Sequence, residues 1–154
     1  MSASNGARPQ SRKAANLAER SGQDFLPLGS APLPSNGAAE QRLAGETAGA
    51  ISTRLVGLLR RHTGRGPTKA KAIISGDLAL VTLADCLTTA EIEVAAAGHG
   101  ELVARARSVL YDGVRAEATA IVEELTHRQV TAYLTAQHQD PELAILVFYL
   151  APRR

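Results

Sequence analysis

The sequence predicts a single α+β domain with the element order α-β-β-α-α-β-β, a four-stranded, mostly antiparallel sheet with helices packed on one face. Three observations predict it. Apolar residues recur at three- and four-residue steps in two long segments, 38–62 and 101–126. Apolar and polar residues alternate over 69–75 and 129–136, and each run leads through a turn signal into a run that is apolar on both faces. A length of 154 residues with 45% apolar content suits one domain with a real core.

Residues 1–37 precede the domain and read as a disordered tail. They hold Pro9, Pro27, Pro32 and Pro34 with scattered Gly, Ser and Asn, and too little apolar surface to offset ordering. The first helix is expected from about Ala38 to His62. Ala44, Ala48, Ile51, Leu55, Leu58 and Leu59 form its stripe, and Ser35 or Asn36 is placed to cap it. Gly64 stops it after the basic last turn Arg60-Arg61-His62. The pair Gly45 and Gly49 is compatible with close approach of a second helix, hence with a dimer.

A hairpin follows. Ala70, Ala72 and Ile74 alternate with Lys69, Lys71 and Ser75, Ser75-Gly76-Asp77 turns the chain, and 78–84 is a more buried strand. Thr88-Thr89-Ala90-Glu91 has the spacing of a capping box, so a short helix should run from Thr89 to about Ala97, where Gly98-His99-Gly100 breaks it. A long helix is expected from Glu101 to about Thr126, with Leu102, Ala106, Val109, Leu110, Val114, Ala118 and Ile121 inward, Arg105, Arg107 and Asp112 outward, and Gly113 as its weak point. The last hairpin places Val130, Ala132, Leu134 and Ala136 on one face of its first strand and Thr131, Tyr133 and Thr135 on the other. Asp140-Pro141 fixes the bend, and 143–150 forms the inner strand.

Composition excludes several functions. The longest apolar run, from Leu143 to Ala151, is far short of the roughly 20 residues of a membrane span. The N-terminus shows no apolar segment of a secretory signal. One cysteine, Cys86, excludes an internal disulfide and a cysteine-only metal site. His62, His99, His127 and His138 lack metal-ligand spacing, so neither metal nor cofactor is indicated.

Charge is uneven. The formal net charge is +2, yet the segment from Gln41 to Gly76 sets Arg42, Arg54, Arg60, Arg61, Arg65, Lys69 and Lys71 against Glu46 alone, while the chain from Asp77 onward is acidic. Such a run either solvates and pairs with the acidic half or recruits an anionic partner. It lacks aromatic residues for base stacking, and strands follow the basic helix, so nucleic acid is not indicated as a partner.

Several segments resemble one family in order and spacing. They are Gly64-Arg65-Gly66-Pro67-Thr68-Lys69-Ala70-Lys71, Ile74-Ser75-Gly76-Asp77, Leu87-Thr88-Thr89-Ala90-Glu91, the Gly98-x-Gly100 before a long helix, and His138-x-Asp140-Pro141. The family is MpsC, and the resemblance covers roughly Ala38 to Pro152. It implies a Na+-translocating system that generates membrane potential, with related systems linked to uptake of inorganic carbon. It brings no catalytic residue.

For a chain without a span, that context implies a non-enzymatic, soluble accessory or regulatory subunit, cytoplasmic and peripheral to the membrane. It would form a homodimer and bind a protein partner, such as a membrane transport complex, through its basic corner. The corner comprises Arg60, Arg61, Arg65, Thr68, Lys69 and Lys71. The alternative is a sensor of a small anion, bicarbonate or a phosphorylated metabolite, in the loop 64–69, where glycines let backbone N–H groups converge beside Arg65, Thr68 and Lys69. The loop lacks Walker A spacing, and it also reads simply as a helix C-cap. Cys86 reads as a small buried residue, since a nucleophilic pair would need a histidine brought near it.

Overall fold

The computed structural model describes residues 35–154, with side chains from Gly37 onward. The tail expected over 1–37 falls outside the described residues except for its last three positions, which begin the first helix; the cap expected at Ser35 or Asn36 also lies outside the described side chains.

Helix α1 spans Ser35–Thr63 and buries Ala48, Ile51, Leu55, Leu58 and Leu59, the expected stripe. It ends as expected at Gly64, whose φ of +75° takes the left-handed cap and whose N–H donates to the Arg60 carbonyl at 2.9 Å. Strands β1 (Lys69–Ser75) and β2 (Leu78–Ala84) form the first hairpin. Helix α2 (Thr89–Val94) follows, then a wide π-type turn over Ala95–His99, helix α3 (Gly100–Gly113) and helix α4 (Arg115–Thr126). Strands β3 (Val130–His138) and β4 (Leu143–Leu150) complete the chain.

All strand pairs are antiparallel and the order is β1-β2-β4-β3, so the two hairpins join through their inner strands. Ala79, Val81 and Leu83 of β2 face Phe148, Leu146 and Ala144 of β4 in register, and the stripe of α1 packs with them into one core. From the helices after α2, Tyr111, Val114, Ala118, Ile121 and Val122 join that core.

Two expectations are corrected. The long second helix is broken: Gly113 ends α3, and Val114, at φ −89° and ψ 0°, turns its buried side chain into the core before α4 begins. Gly is the weakest ordinary helix former, and burial of Val114 decides the direction of the bend. The inward face of α3 is also rotated from the one expected. Val103, Arg107 and Tyr111 are buried at four-residue steps, whereas Leu102 and Val109 are exposed.

The second correction is in β3. A bulge between Val130 and Ala132 adds a residue and exchanges the faces beyond it. Tyr133 therefore faces the core, its ring centroid 5.1 Å from that of Phe148, while Leu134 is 63% exposed on the opposite face. The Tyr133 hydroxyl donates to the Tyr111 carbonyl at 3.2 Å, so a tyrosine inside costs no unpaired polar group.

Candidate functional site

Motif segments that lie far apart in the chain meet at one end of the domain. Thr88 caps α2 with its hydroxyl on the Glu91 N–H, and the Glu91 carboxylate returns to the Thr88 N–H at 2.7 Å, the predicted capping box. The same carboxylate holds Arg107 of α3. Nε of Arg107 donates to Glu91 Oε1 at 2.8 Å, and Nη2 donates to Glu91 Oε2 and, at 2.6 Å, to the Cys86 carbonyl. Arg107 is 2% exposed.

The cap thus aims one carboxylate at both a helix terminus and a buried cation. Burial raises the Glu91 carboxyl, but bonds from Arg107 and from the Thr88 backbone and hydroxyl outweigh it and hold the pKa below its ordinary value. Burial works against the Arg107 charge, and Glu91 more than restores it.

Around this pair lies a partly open cavity of about 120 Å³. Its walls include Leu87, Gly100, Val103, Tyr111 and Leu143, with Gln137, His138, Gln139 and Glu142 from the last hairpin. Gly98, at φ +93°, makes the sharp turn that starts α3, and Gly100 lets Gln139 approach, since a Cβ there would lie 2.8 Å from its Oε1. Both Glu142 oxygens accept from the Cys86 N–H, at 2.9 and 3.1 Å. His138 Nδ1 donates to the Pro141 carbonyl at 2.9 Å.

Cys86 is buried, and burial together with the neighbouring Glu142 carboxylate pushes its pKa up to about 12. It is a thiol at neutral pH, not a nucleophilic thiolate. Among the described residues, no cluster of three or more His, Cys, Asp or Glu is placed to hold a metal ion.

The six residues of the basic corner differ in how they are engaged. Arg61 pairs with Glu117 at 3.2 Å, and His62 reaches the other oxygen of the same carboxylate at 3.1 Å, both linking α1 to α4. Arg54 does the same with Glu124 at 2.8 Å. Arg65 donates to the Leu87 carbonyl at 2.9 Å. Thr68 donates to Asp85 at 2.7 Å, and Lys69 stands 3.9 Å from that carboxylate. Arg60 and Lys71 are exposed, and neither side chain has a hydrogen-bond or ion-pair partner among the described residues.

The pocket residues Arg107, Tyr111, Gln137 and Glu142 were not among the expected site. Nothing local marks them: only the four-residue spacing of Val103, Arg107 and Tyr111 hints that they share an inward face.

The fold is α+β, a four-stranded antiparallel sheet of two paired hairpins with helices on one face. The chain belongs to the MpsC family: the sequence model described as "Na+-translocating membrane potential-generating system (MpsC)" matches residues 44–152. No curated protein and no solved structure matches the chain. No helix among the described residues is long and apolar enough to cross a membrane.

Proposed function

We propose that this chain is a non-catalytic accessory subunit of a membrane-potential-generating system, paired with a second copy through its sheet and docked on an acidic protein surface through its basic corner. The observation that carries the reading is the sheet face that the described helices leave uncovered. Ile73, Leu80, Val147 and Leu134 stand opposite one another across all four strands, with Tyr149 and Ile145 in the neighbouring rows. Ile73, Leu134 and Tyr149 are 49%, 63% and 52% exposed.

Four strands about 4.8 Å apart and seven residues of about 3.3 Å each give a face of roughly 450 Å² in projection. Apolar residues fill its middle, with Lys69, Lys71, Ser75 and Thr82 on the same face, and exposed apolar patches of a few hundred Å² are often functional. The charges on this face, Lys69 and Lys71, sit on the edge strand β1. A two-fold axis parallel to the strands lays that edge over the partner's β3, whose outward residues Ala132, Leu134 and Ala136 are uncharged, so a second copy fits without opposing lysines.

Sizing by light scattering checks the pairing. The wild-type chain is expected at twice 16.2 kDa and Leu134→Lys with Ile73→Lys at 16.2 kDa, with unchanged circular dichroism. A monomeric wild type, or a variant that stays paired, overturns it.

Docking rests on Arg60, exposed in the last turn of α1; Lys71 lies on the sheet face and belongs to the pairing surface. The expected result is co-sedimentation with membranes containing the system's integral subunits, lost in Arg60→Glu and weakened by salt. A variant that sediments like wild type overturns the corner. Equal binding to protein-free vesicles of phosphatidylglycerol overturns a protein partner and assigns the corner to lipid. An inorganic phosphate titration that saturates at the loop 64–69 and blocks sedimentation also counts against docking and favours the small-anion reading.

A further inference from the structure

The pocket beside Arg107 shows what kind of molecule it takes. Nε and Nη2 of this 98%-buried guanidinium are engaged, whereas Nη1 has no hydrogen-bond partner among the described residues. No fully enclosed side-chain polar atom among them is left unpaired, so Nη1 keeps some contact with solvent, and Arg107 is one of the residues that line the cavity. Across the same cavity, Glu142 spends its oxygens on one backbone N–H and keeps lone pairs in reserve. The cavity thus offers Arg107 as a cationic donor and Glu142 as an anionic acceptor, beside the uncharged polar side chains of Tyr111, Gln137 and Gln139 and the imidazole of His138.

We propose that this pocket binds a small zwitterion, a molecule with one carboxylate and one ammonium, the carboxylate on Nη1 of Arg107 and the ammonium on Glu142. Charge selects against a simple anion. Glu91 already neutralises Arg107, so the carboxylate of Glu142 leaves the lining net negative. A phosphate would meet that surplus, whereas a zwitterion satisfies both ends and adds no net charge.

Size narrows the class further. A cavity of about 150 Å³ accepts a ring of six carbon atoms, so a volume of about 120 Å³ holds about five or six heavy atoms, the scale of glycine or alanine. Leu87, whose carbonyl holds Arg65, also lines the cavity, but the groups assigned to the ligand, Arg107 and Glu142, are not residues of the corner or the sheet face, so the two readings are tested by different variants.

Calorimetric titration of the full chain tests it, with glycine and alanine as probes and acetate, methylammonium and inorganic phosphate as controls. The amino acids are expected to bind saturably and the controls far more weakly. Glu142→Gln keeps an oxygen for the Cys86 N–H but removes the charge, and should weaken binding roughly tenfold or more. Ala104→Leu fills the cavity from α3 without touching either charged group and should abolish the heat, with the fold checked by circular dichroism. No heat from either amino acid overturns the proposal. So does acetate or phosphate binding as tightly as alanine, or an undiminished signal in both variants.

Discussion

Glu91→Ala should lower the stability of the domain by about 3–5 kcal/mol, because it strands the buried Arg107 guanidinium without its counter-charge. The same change removes the acceptor of the Thr88 N–H and so opens the N-terminus of α2. A thermal melt should show a loss of at least about 10 °C. Glu91→Gln separates the contributions: it keeps oxygen and shape for the cap but withdraws the charge, and should fall between wild type and alanine.

The pair also sets a pH dependence. The folded carboxyl of Glu91 has its pKa below the ordinary 4.5. Its contribution is complete above the unfolded value and disappears as the pH falls from there through the folded value. Acid unfolding of Glu91→Gln should therefore be flatter than wild type in that range. Equal stability of wild type and Glu91→Ala at neutral pH would show that the ion pair does not hold the site together.

Phe148→Ala should cost about 3–5 kcal/mol, read from denaturant midpoints at unchanged slope. Phe148 is fully buried on β4, opposite Ala79 on one side and Tyr133 on the other. The small side chain of Ala79 cannot close the void, and Tyr133 is tied down by its hydroxyl bond to Tyr111 and by Arg115, 5.4 Å from its ring centre. A cavity therefore persists. Phe148→Leu should lose much less, under about 1.5 kcal/mol if the neighbours repack. A loss below about 1 kcal/mol for alanine would mean that the sheet collapses around the site.

The parts of the fold that were legible in the sequence are those whose cause is local. The capping box at Thr88 and Glu91, the Gly64 stop and the two hairpins each rest on a few adjacent residues. The bulge in β3 was not legible, because no glycine or turn residue marks it and only pairing with β4 reveals it. The break after Gly113 was visible as a weak point but not as an end, since the pull on Val114 comes from the core.

For the site, composition pointed to the basic loop, whereas Arg107 looked like any solvent-facing arginine. Its role depends on Cys86, Glu91 and Glu142, which converge only in three dimensions. Arg128 is a second such case: it ties Asp77 and the Gly76 carbonyl of one hairpin to the Ala151 carbonyl after the other.

The strand order carries a kinetic consequence. Each hairpin closes over a short turn, so its ladder can nucleate by itself. The β2–β4 seam instead unites Leu78 with Tyr149, with three helices and a strand between them in the chain, and its closure bears more loop entropy than either hairpin. Assembly is thus the meeting of two preformed ribbons, and the rate at which they find each other sets the rate at which this protein becomes native.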